Sequence, residues 1–269
     1  MKIGVRAHDY GKRSAEDLAR ILQEEGYQAA QLAVPRAIEG IDSYGDITLR
    51  VLEDIRTAFE KYQVEIPVFS CYMDLGNPDR EIRQAAVSNI KNCLAYCREA
   101  GAGMVGTETS YSRLTAEEKK IWYPHMLDSI KRVMEEAVRL DVKFALEPVY
   151  WHPLDSLGAV QDVISQIQDD HLRLIFDASN LLEFPADTNQ EDYWTGWLEG
   201  CGKYIDAMHI KDFKVLANGS CLPVLLGEGV IDYRPVSGWL RANRSDMPLL
   251  REEMNPETAS LDIGFMRRL

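Results

Sequence analysis

No run of about 18 apolar residues occurs in this sequence, so no segment has the length and hydropathy of a transmembrane helix. The first residues, MKIGVRAHDYG, lack the apolar stretch and small-residue cleavage site of a secretory signal. The expectation is a soluble, cytoplasmic protein with no membrane partner. Positive charge is scarce as well: 30 Lys and Arg stand against 43 Asp and Glu, a formal net charge of −13 with pI near 4.9. The acidic residues are dispersed along the chain. Such a surface repels phosphate backbones, which argues against nucleic acid as a partner, whereas a carboxylate-lined pocket attracts a cation. The five cysteines, at 71, 93, 97, 201 and 221, are odd in number and scattered, which excludes a disulfide framework. Cys93 and Cys97, four apart in a helical segment, read as two small core residues on one face. No linker, low-complexity tract or shift of composition divides residues 1–269, so they read as one domain.

What is present is alternation. KIGVRAH reads as a strand, and SAEDLARILQEEG as a helix with Ser14 as N-cap and Gly26 at its end. YQAAQLAV is a second strand, Ile47 to Val64 has helical apolar spacing, and IPVFSCYM is a third strand. A long helix from Asp79 stops at Gly101, and GMVGTET follows as a short strand. Thr115 and Glu118 form a capping box for the next helix, in which Pro124 should introduce a kink or a break. KFALEPV, LRLIFDAS, IDAMHIKDF and PLLREEM are the remaining strands, each followed by a helical segment. Eight strands alternating with eight helices imply right-handed crossovers and a parallel sheet. A chain of 269 residues suits an α/β fold of the (β/α)8 TIM barrel type, which needs roughly 250. A doubly wound open sheet is the competitor, but no GxGxxG follows the first strand.

In such a barrel, functional residues lie at the C-terminal ends of strands. That rule selects His8 and Asp9, Cys71 and Tyr72, Glu108, Glu147 and His152, Asp177 and Asn180, His209 with Lys211 and Asp212, and Glu252 with Glu253. His125 and His171 fall outside it and read as surface residues. Four of the strands end in metal-ligand types: Glu147, Asp177, His209 and one of the paired acids. On the eighth strand Glu252 faces the lumen if Leu250 does, and a slip of one residue exchanges the faces; counting from Pro248 favours Glu252. Carboxylates with one imidazole suit Mn²⁺, Mg²⁺ or Co²⁺ better than a structural zinc site built on thiolates. One divalent ion (Mn²⁺, Mg²⁺, Co²⁺ or Zn²⁺) is therefore the expected cofactor, and a small polyhydroxylated carbonyl compound the expected substrate. The ion would polarise C=O while one carboxylate removes the adjacent C–H proton and another returns it to an enediolate.

Several competing readings stay open. Asp177 could simply cap the turn DASN. Lys211 could form a Schiff base in a metal-free aldolase, although this leaves the acids without a role. GEG at 227 to 229 could line a phosphate or sugar hydroxyl. The aromatic cluster Tyr193, Trp194 and Trp197 reads equally as the interface of a homo-oligomer or as a helix facing the barrel.

With those residues identified, the chain resembles the xylose-isomerase-like TIM barrel superfamily, the sugar phosphate isomerase/epimerase group that includes ketose 3-epimerases, hydroxypyruvate isomerase and inosose dehydratase. The resemblance runs over essentially the whole chain. It is carried by ALEP at 145 to 148, FDASN at 176 to 180, HIKDF at 209 to 213, GEGVIDY at 227 to 233 and PLLRE at 248 to 252, with CYMDLGNPD and VGTET in support. It implies Glu147, Asp177, His209 and Glu252 as metal ligands, with Glu147 and Glu252 also exchanging the proton of a metal-dependent isomerase or epimerase. His8, Glu108, His152, Asn180 and Lys211 are then the expected substrate contacts. The chain departs from the ketose epimerases in carrying Asn180 where they have His, and KDFKV where an Arg follows the ligand His. An inosose-type dehydratase and a non-catalytic sugar-binding barrel are the alternatives on the same fold. Endonuclease IV shares that fold but needs further histidines and a surface that attracts DNA.

Overall fold

The computed structural model describes residues 1–184 and 187–269. Strands β1 (Lys2–Arg6), β2 (Ala29–Leu32), β3 (Glu65–Ser70), β4 (Ala102–Thr107), β5 (Lys143–Leu146), β6 (Leu172–Asp177), β7 (Ile205–Ile210) and β10 (Pro248–Arg251) are parallel and close into a barrel. Around it the order is β1, β10, β7, β6, β5, β4, β3, β2. The principal helices follow in the expected alternation: α1 (Ala15–Glu25), α3 (Leu49–Lys61), α4 (Arg80–Glu99), α5 (Ala116–Leu140), α6 (Leu157–Ile167), α7 (Gln190–Cys201), α8 (Arg234–Asn243) and α9 (Ala259–Met266). A single additional turn, α2 (Val34–Ala37), follows β2. This is a (β/α)8 barrel.

The helix starts obey local capping chemistry. Ser14 accepts from the Asp17 amide, Asp79 from those of Glu81 and Ile82, and Thr115 with Glu118 completes a capping box. Gly26 ends α1 in the left-handed region at φ 97°, a conformation glycine adopts without Cβ strain. Pro124 does not split its helix, which is continuous over Ala116–Leu140; the neighbouring elements packed on its buried face hold it through the missing N–H. Cys93 and Cys97 both point into the core from α4. Trp194 and Trp197 do the same from α7, Trp194 meeting Phe176 edge to face at a centroid distance of 6.3 Å. That tryptophan pair is therefore helix-to-barrel packing rather than an open interface.

IDAMHIKDF is not one strand. β7 ends at Ile210, and β8 (Asp212–Val215) turns away to pair antiparallel with β9 (Cys221–Val224) as a hairpin. The cause is Asp212, whose buried carboxylate accepts from the amides of Phe213, Gly227, Gly229 and Ile231 at 3.0 to 3.2 Å. The GEG segment thus ties down Asp212 through two of its amides and does not present them to a phosphate.

The barrel is plugged. Ala29, Val68, Met104, Ala145, Ile175, Ala207 and Leu250 form a buried cluster of their own, distinct from the larger core between sheet and helices. Small residues make room for large ones within it. A Cβ on Gly106 would lie 2.7 Å from Val68 and 2.8 Å from Ile175. Among the described residues no helix is long and apolar enough to cross a membrane.

Candidate functional site

Side chains two apart on a strand share a face, and this places a polar ring directly on the apolar plug. Stepping two residues from Gly4, Ala29, Val68, Gly106, Ala145, Ile175, Ala207 and Leu250 reaches Arg6, Gln31, Ser70, Glu108, Glu147, Asp177, His209 and Glu252. Every barrel strand contributes one. Asp177, His209, Glu147, Glu252, Gln31 and Ser70 are buried.

Three of the predicted ligands converge at the centre: one ligand-type atom from each of Glu147, Asp177 and His209 lies within 4.8 Å of the others. Glu147 Oε2 is 3.1 Å from His209 Nδ1, and Glu252 Oε1 reaches the same nitrogen at 3.5 Å. Asn180 donates to Glu147 Oε1 at 2.8 Å. Asp177 caps the following turn, as its sequence suggested, and leaves its other oxygen in the central cluster. Its Oδ1 accepts from the Ser179 amide at 2.9 Å and caps the following turn, while Oδ2 is buried without a hydrogen-bond partner. Lys211 Nζ stands 3.0 Å from that oxygen, outside hydrogen-bond alignment, and 3.3 Å from Glu252 Oε2. His209 Nε2 is likewise buried without a partner, and Nδ1 has the Glu147 carboxylate at 3.1 Å but outside hydrogen-bond alignment. Unsatisfied buried polar atoms are costly, and a carboxylate, carboxylate and imidazole set answers that cost by holding a divalent ion. The buried Glu147, Asp177 and His209 cluster fits such a site.

The eighth strand has Leu250 in the plug and Glu252 beside His209. Arg251 points outward instead, donating to Asp262 Oδ2 at 2.8 Å. Glu253 is exposed, with φ 53°.

The environment drives the ionisable groups apart. Burial opposes charge on His209, but the Glu147 and Glu252 carboxylates outweigh it and bring its pKa up to about 9. Burial would raise Glu252, yet His209, Lys211 and Arg6 hold it near 2. Glu108 goes the other way, pushed up to about 8 by burial and then by the charge of Glu147. Burial keeps His152 neutral, near 3, with Lys119 adding to the effect. His8 falls to about 4 through burial and then Arg6 and Arg36.

Above the centre is a cavity of about 300 Å³ lined by Arg6, His8, Arg36, Tyr72, Glu108, Ser110, Tyr111, Trp151, His152, Asn180, Lys211, Glu252 and Glu253. All five expected substrate contacts are in its wall. His152 Nε2 lies 3.8 Å from Glu108 Oε2, too far for a direct hydrogen bond. Cys71 is buried behind the wall, and Asp9 is held by Arg6 at 2.7 Å. His171 sits between Asp169 and Asp141, at 2.8 and 3.0 Å, away from the site. Arg6, Gln31, Ser70, Arg36 and Tyr111 were not anticipated. Period-two counting from the plug would have found the first three. Gln31 donates to Ser70 Oγ at 2.9 Å, and its own Oε1 is buried without a partner.

A family model described as xylose isomerase-like TIM barrel matches residues 19–269. No curated protein sequence matches the chain. Among solved structures, the apo form of 3-keto-D-glucoside 4-epimerase from E. coli superposes with a TM-score of 0.77 at 16% identity, covering 100% of both chains. The IOLI protein with a bound zinc atom gives 0.75 at 17% identity, covering 100% of this chain and 96% of the other. D-psicose 3-epimerase with D-tagatose, from Clostridium cellulolyticum H10, gives 0.73 at 16% identity, with 98% and 89% covered. At these identities the likeness is one of fold.

Proposed function

Because this chain belongs to the xylose isomerase-like TIM barrel family, we propose that it is a divalent-metal-dependent isomerase or epimerase of a small polyhydroxylated carbonyl compound. The observation that carries the reading is the approach of Glu147 and Glu252 to one imidazole nitrogen from separated strands, with Asp177 completing the group. Glu147, Asp177, His209 and Glu252 would hold the ion. When bound, a divalent cation polarises a carbonyl and stabilises the negative charge that develops beside it.

The chain's own groups then divide the work. Glu147, with one oxygen fixed by Asn180, keeps the other oriented toward the centre as a proton acceptor. Glu252, on the far side and held ionised by its cationic neighbours in the absence of substrate, would have to take up a proton before it serves as the second carrier and returns that proton to the enediolate. Two such carriers on opposite sides would serve inversion at a carbon that stays in place. Lys211 and His152 would orient hydroxyls, and His8 would do the same from β1. Glu108, protonated near neutrality, can donate a hydrogen bond to a developing oxyanion.

That same neutral acid favours a second reading. A protonated Glu108 beside the pocket could protonate a departing β-hydroxyl, which would make the reaction an inosose-type dehydration. Incubation of the Mn²⁺-loaded protein with a panel of ketoses in D₂O tests both. Carbon-bound deuterium without loss of water supports the isomerase or epimerase, and an enone absorbance supports the dehydratase. Neither signal, with sugar binding retained, leaves a non-catalytic sugar-binding barrel.

A further inference from the structure

Beside the reaction chamber is a second cavity, of about 410 Å³, and the two share Trp151, Asn180, Lys211 and Glu253 as wall. Their chemistry differs. The chamber over the metal-ligand residues sets Arg6, Arg36 and Glu252 beside Tyr72 and Tyr111, whereas the adjoining one adds Tyr150, Phe184 and Phe213 to the shared Trp151. Phe184 and Phe213 meet edge to face at 5.2 Å on one side, and Tyr150 and Trp151 at 4.5 Å on the other. Tyr150, Trp151 and Phe184 are only half-buried. The hairpin β8–β9, which Asp212 turns away from the barrel, contributes Phe213 and Pro223.

We propose that this compartment is the second half of the substrate site and receives an uncharged ring carried on the reacting sugar, so that the substrate is a glycoside. The inference rests on the sugar-converting role argued above and narrows its substrate class. Size supports it, because small-ligand pockets span roughly 300–1,000 Å³ and the chamber over the ligand residues already reaches that range alone. Ring faces are the complement of exposed aromatic walls. The charges of this wall do not favour a phosphate. Arg113, stacked 5.2 Å from the ring centres of both Tyr150 and Trp151, is paired with Glu183 at 3.1 Å. Lys211 is engaged by Asp177 and Glu252. The remaining charged wall residue, Glu253, repels an anion. A chemical consequence follows: the glycosidic bond occupies the anomeric carbon, so the reacting carbonyl lies on another carbon of the sugar.

Binding of the methyl, phenyl and glucosyl glycosides of glucose, galactose and mannose, each with one ring hydroxyl oxidised to a ketone, to the Mn²⁺-loaded protein tests this by calorimetry. For at least one sugar, the phenyl or glucosyl derivative binds about tenfold more tightly than the methyl one, and Phe184→Ala reduces that preference to about twofold or less. Phe184→Leu, which keeps most of the volume, retains part of it and controls for folding. A preference for phenyl alone identifies an aromatic aglycone, and one for glucosyl a second sugar ring. Equal affinity for all three derivatives, no binding by any of them, or a preference that survives Phe184→Ala overturns the proposal. Deuterium uptake by free ketoses without ring preference removes the glycoside subsite and leaves the reaction standing. A ring preference lost in Phe184→Ala, without deuterium uptake by any sugar, does the reverse.

Discussion

The side-chain amide of Asn180 donates to Glu147 Oε1 at 2.8 Å while Glu147 Oε2 lies 3.1 Å from His209 Nδ1. One oxygen is anchored and the other is thereby aimed at the centre. Asn180 leaves the 3₁₀ turn capped by Asp177, so a single short segment, DASN, supplies both a candidate ligand and the clamp on its neighbour.

Replacing Asn180 by Ala releases that clamp without removing a ligand. Loss of an outer partner of a metal-binding carboxylate costs about 10–100-fold in metal affinity or activity. Asn180→Ala should fall in that window with a melting temperature close to the parent's, as read by titration calorimetry with Mn²⁺ and by thermal scans. Unchanged affinity and turnover would assign Asn180 to substrate contact or packing only.

Arg251 and Asp262 form a buried pair at 2.8 Å on the outer side of β10. Asp262 also accepts from the Leu226 amide at 3.0 Å, and Arg251 donates to the Val224 carbonyl at 2.9 Å. Removing one partner of a buried pair costs about 3–5 kcal/mol. Asp262→Ala should lower the urea midpoint by a corresponding amount, and the Asp262→Ala, Arg251→Met double variant should recover part of it.

Gly229 has no room for a side chain: a Cβ there would meet Asp212 Oδ1 at 2.0 Å and the Phe213 carbonyl at 2.5 Å. Gly229→Ala therefore pushes apart the amide cluster around Asp212, with a loss of about 1–3 kcal/mol. Proteolysis should then open the chain in the hairpin, between residues 213 and 224, before it opens the barrel.

Glu108 sets a pH dependence. Its folded pKa is about 8 against an ordinary value of 4.5. Between those limits the folded protein holds a proton that the unfolded chain has lost, so stability falls as pH rises. Melting temperatures measured with a chelator present should decline from pH 5 to pH 8, and Glu108→Gln should flatten that decline. An identical slope in the variant would mean that Glu108 is ionised at neutral pH.

The strand-end acids, the caps at Ser14 and Thr115 and the register of Glu252 were legible because each depends on a few adjacent residues. The Leu250 and Arg251 alternation alone decides which face Glu252 takes. What escaped depends on distant partners. Asp212 reads as the end of a strand until the amides of Gly227, Gly229 and Ile231 come back to it. Gln31 is hidden in the run AAQLAV, where one polar residue among small apolar ones carries no sign that its neighbour in space is Ser70. Pro124 is tolerated in mid-helix because tertiary packing outweighs a local preference.

Metal titration of the purified protein tests the central geometry most directly. The account predicts one divalent ion per chain, with affinity reduced at least about 100-fold in Asp177→Ala and in His209→Ala while Glu253→Ala binds as the parent does. No bound ion in the parent, or undiminished binding in His209→Ala, would contradict it.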